Sequence, residues 1–348
     1  MLAEDAILYL CRSDVEEACR RIDSVEIIRE VFKMHGSGQT ILPDEAYLSW
    51  RNRCGESVRS LNMPGYVGGS SGIAGTKIIN GNIFNLGRGL PRASGITLLF
   101  DPTTVQVMCF MEGAYISSLR TASVSALVAE ELAVPPVYCI TLIGAGVLAQ
   151  THIELLVRTL PYVQQIRLFD IDNTRALHLQ NAIASHLQER NIALEVTSTA
   201  KEAITPAQLI IPTTTTTTGY IAYDWLQPGA TLINISLDDP LPEVVYKADK
   251  VIVDDWNLVK NDSRRLIGKM YHAGQVIGPD DPAKTAQDKV RRIDAELGDI
   301  VTGRRGRREN NQEIILVNPF GLAIEDIALA AQVYSVAQEL GLGRQLPR

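Results

Sequence analysis

The segment LIGAGVLAQTH, residues 142–152, constrains the fold of this chain most strongly. Its first three residues end the apolar run YCITLIG, and the residues that follow have helical character. Gly144, Gly146 and Ala149 stand in the pattern GxGxxA between the two. In a strand–turn–helix unit the first glycine permits a tight turn, the second lets the backbone approach a phosphate, and the small third residue allows close packing. The helix N-terminus then favours an anion. The segment therefore predicts a dinucleotide-binding turn, with a Rossmann-like domain that binds nothing as the alternative.

The segments around this turn alternate between strand and helix. Strand-like runs are separated by helical or turn segments, and they read IRLFD, LEVTS, AQLIIP, TLINIS and KVIVDD. Such alternation is typical of a parallel, doubly wound sheet with right-handed crossovers. We therefore predict an α/β fold whose Rossmann-type domain covers residues 120–317.

The remaining segments predict a second, α+β domain made of residues 1–119 and 318–348. Two early segments have helical periodicity, with Ser13 and Ser24 as predicted N-caps, and Ala114–Leu132 reads as one helix of small residues. Strand-like pieces read GIAGTKII, SGITLLF and VQVMCF.

The basic segment 303–310, GRRGRREN, is predicted to be a solvated loop.

Composition excludes several classes of protein. The net charge of -7 and the lack of a basic stripe argue against nucleic acid, and no apolar run has the length of a membrane span. The start, MLAEDAILYL, has acids where a signal peptide has basic residues. Five scattered cysteines without CxxC spacing predict reduced thiols in a cytoplasmic chain, and the five histidines show no metal-ligand spacing. No metal is predicted.

Two features refine the predicted cofactor site. Asp170 ends the strand IRLFD at the spacing of a ribose-binding acid, which accepts hydrogen bonds from ribose hydroxyls and repels a 2′-phosphate. The cofactor is therefore predicted to be NAD rather than NADP. Six consecutive threonines at 213–218 end the next strand, where they can line the crevice or form a polar turn.

Two isolated cations suggest an anion site. Arg120 is the only charged residue of 113–129, and Lys77 is the only one of 60–87. A cation buried among small apolar residues is costly without a counter-charge, so each requires a protein acid or a ligand unless it is exposed. Arginine can hold a carboxylate through two parallel hydrogen bonds.

The segment INISLDDP, residues 233–240, raises a similar question. Ile233–Leu237 is predicted to be a buried strand, and it leads directly into Asp238 and Asp239. A turn explains the two acids equally well, because Asp and Pro are ordinary turn residues.

Five segments together resemble the ornithine cyclodeaminase/μ-crystallin family: GTKIING, SSLRTASVSA, LIGAGVLAQTH, LINISLDD and NPFGLAIEDIA. The resemblance runs through most of the chain. It implies a Rossmann domain that binds NAD, a substrate-binding domain that also forms a homodimer, and an oxidoreductase acting on a CH–NH bond of an amino acid.

The resemblance also implies roles for individual residues. Asp239 and Lys77 are the implied catalytic residues, and Arg59, Lys77 and Arg120 bind a substrate carboxylate, with Arg92 as a further candidate. The implied cofactor-binding residues are Thr121, Gly144, Ala145, Gly146, Val147, Leu148, Asp170, Thr213, Thr214, Thr215, Ser236, Asn318 and Gly321. The segment LNMP (61–64) lacks the acid that binds a diamine, and NPFG (318–321) replaces an acid and a serine of the cyclodeaminases.

Within the family a narrower likeness rests on LCRSDVEEA, YDWLQPGA, ADKVIVDDW, AELGDIVTG and EIILVNPFGLAIEDI. It implies a substrate with several carboxylates, N-(2-amino-2-carboxyethyl)-L-glutamate, which NAD⁺ oxidation and hydrolysis convert to 2-oxoglutarate and L-2,3-diaminopropionate, a precursor of siderophores or other secondary metabolites. Alternatives are ornithine cyclodeamination, ketimine reduction, amino-acid dehydrogenation, or a non-catalytic NAD- or ligand-binding protein.

Overall fold

The structure is a computed structural model that describes residues 6–69, 72–282 and 290–348. The chain divides into two compact units, one of Met1–Arg120 with Gly321–Arg348 and the other of Thr121–Phe320. Within the described residues, no helix is both long enough and apolar enough to cross a bilayer.

The first unit is built on a mixed sheet. In the described residues its eight strands, numbered along the chain, are β1 (Ala6–Leu10), β2 (Thr40–Ile41), β3 (Ala46–Arg51), β4 (Ser57–Val67), β5 (Ile73–Gly81), β6 (Ala93–Phe100), β7 (Val107–Glu112) and β18 (Arg344–Pro347). Their order is β18-β1-β7-β6-β5-β4-β2, with β3 also beside β4. The β1–β7 pair is parallel, and the β4–β5–β6–β7 pairs are antiparallel.

Pro64 lies inside the long strand β4, where a missing N–H would normally break a sheet. On one side of β4, β3 pairs with the part that ends at Asn62, whereas β2 pairs with Tyr66 and Val67. Pro64 lies between these two partners, so its missing donor leaves no acceptor unpaired on that side.

Among the described residues of this unit there are three helices and part of a fourth: α1 (Arg12–Cys19), α2 (Ser24–Gly36), α11 (Ala323–Leu340) and the first turns of α3 (Ala114–Leu132). A 3-10 turn spans Ile83–Arg88. Helix α11 packs closely on the sheet, since a Cβ at Gly65 would lie 3.1 Å from Ile327 Cδ1.

The predicted N-caps are wrong, whereas the predicted span of α3 is confirmed. Helix α2 is capped by Asp23, whose side chain accepts hydrogen bonds from the Val25 and Glu26 amides, because the stronger acceptor stands one residue before Ser24. Helix α1 begins after Cys11, whose amide donates to Asp14 Oδ2.

The second unit carries a parallel sheet. Its described strands are β8 (Cys139–Ile143), β9 (Gln165–Phe169), β10 (Ala193–Val196), β11 (Leu209–Pro212), β12 (Thr231–Ile233), β13 (Lys250–Val253), β16 (Ala295–Glu296) and β17 (Ile315–Asn318). Their order is β10-β9-β8-β11-β12-β17-β13-β16. The order reverses between β8 and β11, which is the topological switch point of a doubly wound sheet. The predicted fold class is confirmed.

The other elements of this unit are shorter or cover the sheet. The helices are α4 (Val147–Thr159), α5 (Asn173–Gln188), α6 (Ala200–Ile204), α7 (Pro242–Lys247), α8 (Trp256–Asn261), α9 (Leu266–His272) and α10 (Leu297–Val301). A 3-10 turn spans Tyr223–Trp225, and β14 (Val276–Ile277) pairs with β15 (Arg291–Arg292).

One prediction in this unit is wrong and another is confirmed. Strand β12 ends at Ile233, not at Leu237: the Ile235 amide bonds back to the Ile233 carbonyl at 3.0 Å and Leu237 has a φ of 77°. The segment 303–310 is a loop in which most residues are exposed, as predicted, and Arg308 ties it to the end of α3 by donating to the Leu132 carbonyl at 2.7 Å.

Candidate active site

The glycine turn of the second unit joins β8 to α4. Gly144 has a φ of 94°, and a Cβ there would lie 3.2 Å from the Thr213 carbonyl oxygen, so both conformation and space require glycine. A Cβ at Gly146 would meet nothing within 4 Å, which leaves the backbone open on that side. The amides of Val147 and Leu148 belong to the first turn of α4, where they lack intrahelical acceptors. This geometry fits a phosphate.

Asp170, directly after β9, is hydrogen-bonded to the glycine turn. Its Oδ2 accepts from the Ala145 amide at 2.7 Å, and its Oδ1 accepts from the Asp172 amide at 2.8 Å. A carboxylate has about four acceptor positions, so Asp170 can still accept bonds from two ribose hydroxyls. Arg167 on the same strand is engaged by Glu195 at 2.9 Å.

The threonine run after β11 divides into two parts. Thr213 Oγ1 donates towards the Ile143 carbonyl at 3.2 Å, and Thr214 Oγ1 donates to Asp239 Oδ1 at 2.8 Å. Beyond the exposed Thr215, the Thr216 hydroxyl closes a local turn with the Thr218 carbonyl at 2.9 Å. The first two threonines therefore join the ends of neighbouring strands, and the later ones form a polar turn.

Asp239 is fully buried, with an exposed fraction of 0%. Its Oδ1 accepts from Thr214 Oγ1 at 2.8 Å and from the Tyr220 hydroxyl at 2.9 Å, and its Oδ2 is in close contact with Ser236 Oγ. Burial raises the pKa of Asp239 from its ordinary value, the three hydroxyl groups lower it in part, and the charge of Asp238 raises it. The result is a carboxylate of increased basicity.

Ser236 links the proton state of Asp239 to the backbone. Its Oγ lies 3.0 Å from the Pro212 carbonyl and also contacts Asp239 Oδ2, although one hydroxyl carries a single proton. When Asp239 is ionised, Ser236 can donate to it. When Asp239 is protonated, it can donate to Ser236, which then donates to Pro212. The arrangement accommodates both proton states.

The carboxylate of Asp238 has different partners from that of Asp239. Its carboxylate accepts from Arg265 Nη1 at 2.8 Å and from the Leu266 amide at 2.9 Å, at the start of α9. The positive φ of Leu237 precedes the point where the two acids diverge. Asp238 therefore anchors the turn that presents Asp239.

Two buried asparagines lie at the carboxyl ends of β12 and β17. Asn234 Nδ2 donates to Asn318 Oδ1 at 2.7 Å. Among the residues that the structure describes, none donates to Asn234 Oδ1, although that atom is buried. A buried acceptor without a donor is costly, and the amide of a nicotinamide ring offers a suitable one. Together with the open backbone at Gly146, this fits a nicotinamide dinucleotide.

A contact that the sequence did not predict links α3 to α4. His152 is fully buried; its Nδ1 lies 2.7 Å from the Leu148 carbonyl and its Nε2 lies 2.9 Å from Ser125 Oγ. Burial lowers the pKa of His152 to about 4, so it is neutral at pH 7. Nδ1 is then the donor, and Ser125 donates to Nε2. Thr121 lies one turn before Ser125 on α3 and offers it a second acceptor, its carbonyl, at 3.4 Å.

In the first unit, the two isolated cations are buried and paired with protein acids. Lys77 Nζ lies 2.7 Å from Asp326 Oδ2, and Arg120 Nη1 lies 2.7 Å from Glu325 Oε2. Arg120 Nε also lies 3.3 Å from Asp326 Oδ2. Burial and the charge of Arg120 lower the pKa of Lys77, whereas Asp326 raises it. Each of the two cations is thus paired with a carboxylate from the first turn of α11.

The sequence predictions missed Glu325 and Asp326. They are adjacent acids in the first turn of α11, whose other residues in the run AIEDIALAA are apolar. The reasoning that identified the isolated cations applies equally to isolated acids, so this signal was present in the sequence.

Gly321 and Arg92 complete the set of predicted residues. Gly321 has a φ of 93°, and a Cβ there would lie 2.5 Å from Arg120 Nη1, so this glycine makes room for the guanidinium. Arg92 and Arg59 line one pocket of the first unit.

Comparison with known proteins agrees with this geometry. The model of the ornithine cyclodeaminase/mu-crystallin family matches residues 6–340. The N-((2S)-2-amino-2-carboxyethyl)-L-glutamate dehydrogenase of Staphylococcus aureus is 34% identical over 344 residues, which cover 98% of each chain. The identification of the family from sequence is confirmed.

Two solved structures share the fold. The crystal structure of CmnK matches with a TM-score of 0.89 and 33% identity, covering 99% of this chain and 98% of that one. The Thermococcus litoralis Delta(1)-pyrroline-2-carboxylate reductase, in complex with NADH and L-proline, matches with a TM-score of 0.85 and 27% identity, covering 98% and 100%. The named relatives are a dehydrogenase and a reductase, and the reductase holds NADH, in agreement with the predicted enzyme class and cofactor. The chain belongs to the ornithine cyclodeaminase/mu-crystallin family.

Proposed function

We propose that this protein is an NAD-dependent dehydrogenase that cleaves N-(2-amino-2-carboxyethyl)-L-glutamate to 2-oxoglutarate and L-2,3-diaminopropionate. The observation that carries the proposal is Asp239, a buried carboxylate whose three hydroxyl contacts accommodate both its ionised and its protonated form. The choice of substrate is supported by the 34% identity to the S. aureus dehydrogenase over nearly the whole of both chains.

The glycine turn, Asp170 and the first threonines are proposed to hold the dinucleotide. Gly146, Val147 and Leu148 offer backbone amides to the phosphates, the Ala145 amide holds Asp170 in place, and Asp170 accepts from the ribose hydroxyls. When bound, the nicotinamide would supply a hydride acceptor for the glutamate Cα of the substrate. The buried Asn234 Oδ1 supplies an acceptor for the carboxamide.

Asp239 is proposed to be the general base. Loss of hydride from Cα requires a lone pair on the secondary amine, so the amine must first lose its extra proton, which Asp239 accepts. The resulting imine adds water across its C=N bond. After Asp239 has released the amine proton to solvent, it can take a proton from that water and return it to the nitrogen, so that the C–N bond breaks to give a ketone and a primary amine. The products are 2-oxoglutarate, diaminopropionate, NADH and one proton, and the water oxygen becomes the ketone oxygen.

The cations of the first unit are proposed to bind substrate carboxylates. Lys77 and Arg120 are held in place by Asp326 and Glu325, which fixes their orientation but also balances their charge. A carboxylate bound there shares them with the two acids. Three carboxylates per substrate call for further cations, and Arg59 and Arg92 are the proposed ones.

Ketimine reduction is the second candidate function, supported by the T. litoralis reductase and by the same Asp239. A protonated Asp239 hydrogen-bonded to Ser236 can donate a proton to an imine nitrogen, which is the reverse of the base role. The two functions differ in substrate rather than in machinery.

One assay separates the candidates. With the glutamate–diaminopropionate conjugate and NAD⁺, we expect equal amounts of NADH, 2-oxoglutarate and diaminopropionate, and no ammonia. Asp239→Asn should lower turnover by at least ~10²-fold, while NAD binding persists. Ammonia released from ornithine at a comparable rate would identify a cyclodeaminase, and reduction of a cyclic imine at a far greater rate would identify a reductase.

We further propose a cytoplasmic homodimer that supplies diaminopropionate for a siderophore or a related peptide product. All five cysteines are free of disulfide bonds, which supports a reducing compartment. Strand β3 is exposed along its whole length, including the apolar side chains of Leu48 and Trp50. Ile41, a few residues earlier in the chain, is another exposed apolar residue of the same unit. A second copy that covers this face would bury it. Light scattering should give twice the chain mass at micromolar concentration, and a monomer would contradict the proposal.

A further inference from the structure

One pocket of the first unit, ≈ 150 Å³ in volume, is lined by two arginines, Arg59 and Arg92. They approach it from opposite sides of β5. Arg59 on β4 is paired with Gly81, and Gly81 is paired across the other edge of β5 with Ala93, the residue after Arg92. A backbone hydrogen bond also joins the two strands here, because the Asn82 amide donates to the Arg92 carbonyl at 2.9 Å.

Gly81 makes room for this arrangement. A Cβ at Gly81 would lie 3.3 Å from Arg59 Nε and 3.5 Å from Arg59 Cγ, so the arginine side chain lies flat over the glycine. A Cβ at this position would require the Arg59 side chain to shift slightly. The strand pairing therefore places two like charges beside one cavity.

The charge of Arg92 is not balanced by the described residues. Burial and the charge of Arg59 lower the pKa of Arg92, and no acid in the described part of the chain forms an ion pair with it. The neighbouring acid Glu56 is already engaged, because Arg88, Asn82 and Asn52 donate to it. Those hydrogen bonds hold the pKa of Glu56 at about 2.

The pocket thus differs from the cluster around Lys77. In that cluster each cation is paired with a carboxylate, whereas the lining of the pocket contains two arginines and no acid. Lys77 and Gly81 are four residues apart on β5, or about 13 Å at about 3.3 Å per residue. Because lysine and arginine side chains each extend several ångströms, cations at these two positions can bind two carboxylates of one substrate. The planar fork of arginine favours a carboxylate, and the hydroxyl of Ser57 in the pocket wall adds a donor.

We propose that this pocket is a subsite for a second, remote carboxylate of the substrate, and that Arg92 makes the enzyme selective for dicarboxylic over monocarboxylic carbon skeletons. The inference rests on the proposed function, in which the glutamate arm of the substrate has a side-chain carboxylate. Alanine-like and proline-like substrates, on which other enzymes of the family act, have no side-chain carboxylate.

The test compares two substrates in three proteins. The substrates are the glutamate conjugate and its analogue in which 2-aminobutyrate replaces glutamate, which removes only the remote carboxylate. Arg92→Gln should raise KM for the glutamate conjugate at least tenfold, or ~1.4 kcal/mol, and leave KM for the analogue unchanged. Arg53→Gln, which removes an exposed arginine from the same region, is the matched control and should change neither. Equal effects of Arg92→Gln on both substrates, or none, would overturn the proposal.

A second measurement does not depend on turnover. With NADH present, 2-oxoglutarate should raise the melting temperature of the unmodified protein more than 2-oxobutyrate does, and Arg92→Gln should abolish the difference. If the conjugate is not a substrate but this difference is found, the reaction is wrong and the subsite stands. If the two keto acids stabilise the protein equally, the subsite proposal is wrong whatever the reaction.

Discussion

Removal of the Ser236 hydroxyl should shift the pH dependence of catalysis by about one unit. Ser236 contacts Oδ2 of Asp239 in either proton state. A hydrogen bond to a charged group contributes about 1.5–3 kcal/mol, and one between neutral groups about 0.5–1.5 kcal/mol. Ser236→Ala therefore costs the ionised form about 1.2 kcal/mol more than the protonated form, which raises the pKa of Asp239 by about one unit at about 1.4 kcal/mol per unit.

The assay is kcat/KM for the conjugate as a function of pH, which reports the base in the free enzyme. The acid limb of the profile should move about one pH unit upwards in Ser236→Ala, with the plateau at high pH retained. Ser236→Thr keeps a hydroxyl and should restore the limb. Thr218→Ala, whose backbone rather than hydroxyl makes the described contacts of that loop, is the control and should leave the profile unchanged. An unmoved limb in Ser236→Ala, or one moved to lower pH, would refute the reasoning.

Stability gives an independent measurement of the same shift. The pKa of Asp239 is raised on folding, so its contribution to stability is fully present below its unfolded pKa and is lost as pH rises through its folded pKa. Ser236→Ala raises the folded pKa further and enlarges that loss. In urea unfolding, the destabilisation by Ser236→Ala should be about 1 kcal/mol greater at pH 8 than at pH 4. An equal destabilisation at both pH values would show that Ser236 does not affect the titration of Asp239.

Three further outcomes are expected. NAD(H) should bind at least tenfold tighter than NADP(H), a gap of ~1.4 kcal/mol that Asp170→Ala should narrow; equal affinities in the unmodified protein would contradict the role of Asp170. Asp326→Asn removes the carboxylate that pairs with the buried Lys77 and should lower the free energy of unfolding by about 3–5 kcal/mol in urea titration, whereas a loss under 1 kcal/mol would show that the charge of Lys77 does not depend on this pair. Gly321→Ala forces a strained φ and displaces Arg120, so KM for the substrate should rise; a normal KM would separate Arg120 from the substrate.

Local features of the sequence predicted the elements of the fold. The bounds of α3 were predicted correctly because a run of small residues without glycine or proline reads the same in isolation as in the protein. The strand before Gly144 and the helix after it followed from apolar character and the glycine pattern, since a tight turn with positive φ is a property of a few adjacent residues. Where the local signal was shared by two neighbours, as for Asp23 and Ser24, the prediction chose the weaker cap.

The surroundings of the reactive groups were decided only by tertiary structure. The sequence predicted that Lys77 needs an anion, but its partner Asp326 is 249 residues away and lies on a helix that packs against the strand. The sequence likewise placed two adjacent acids after a strand, without indicating that Asp239 meets three hydroxyl groups while Asp238 meets Arg265. Propensity and periodicity act over a few residues, whereas burial and charge pairing depend on which distant segments come together. The first could be derived from the sequence, and the second required the packed chain.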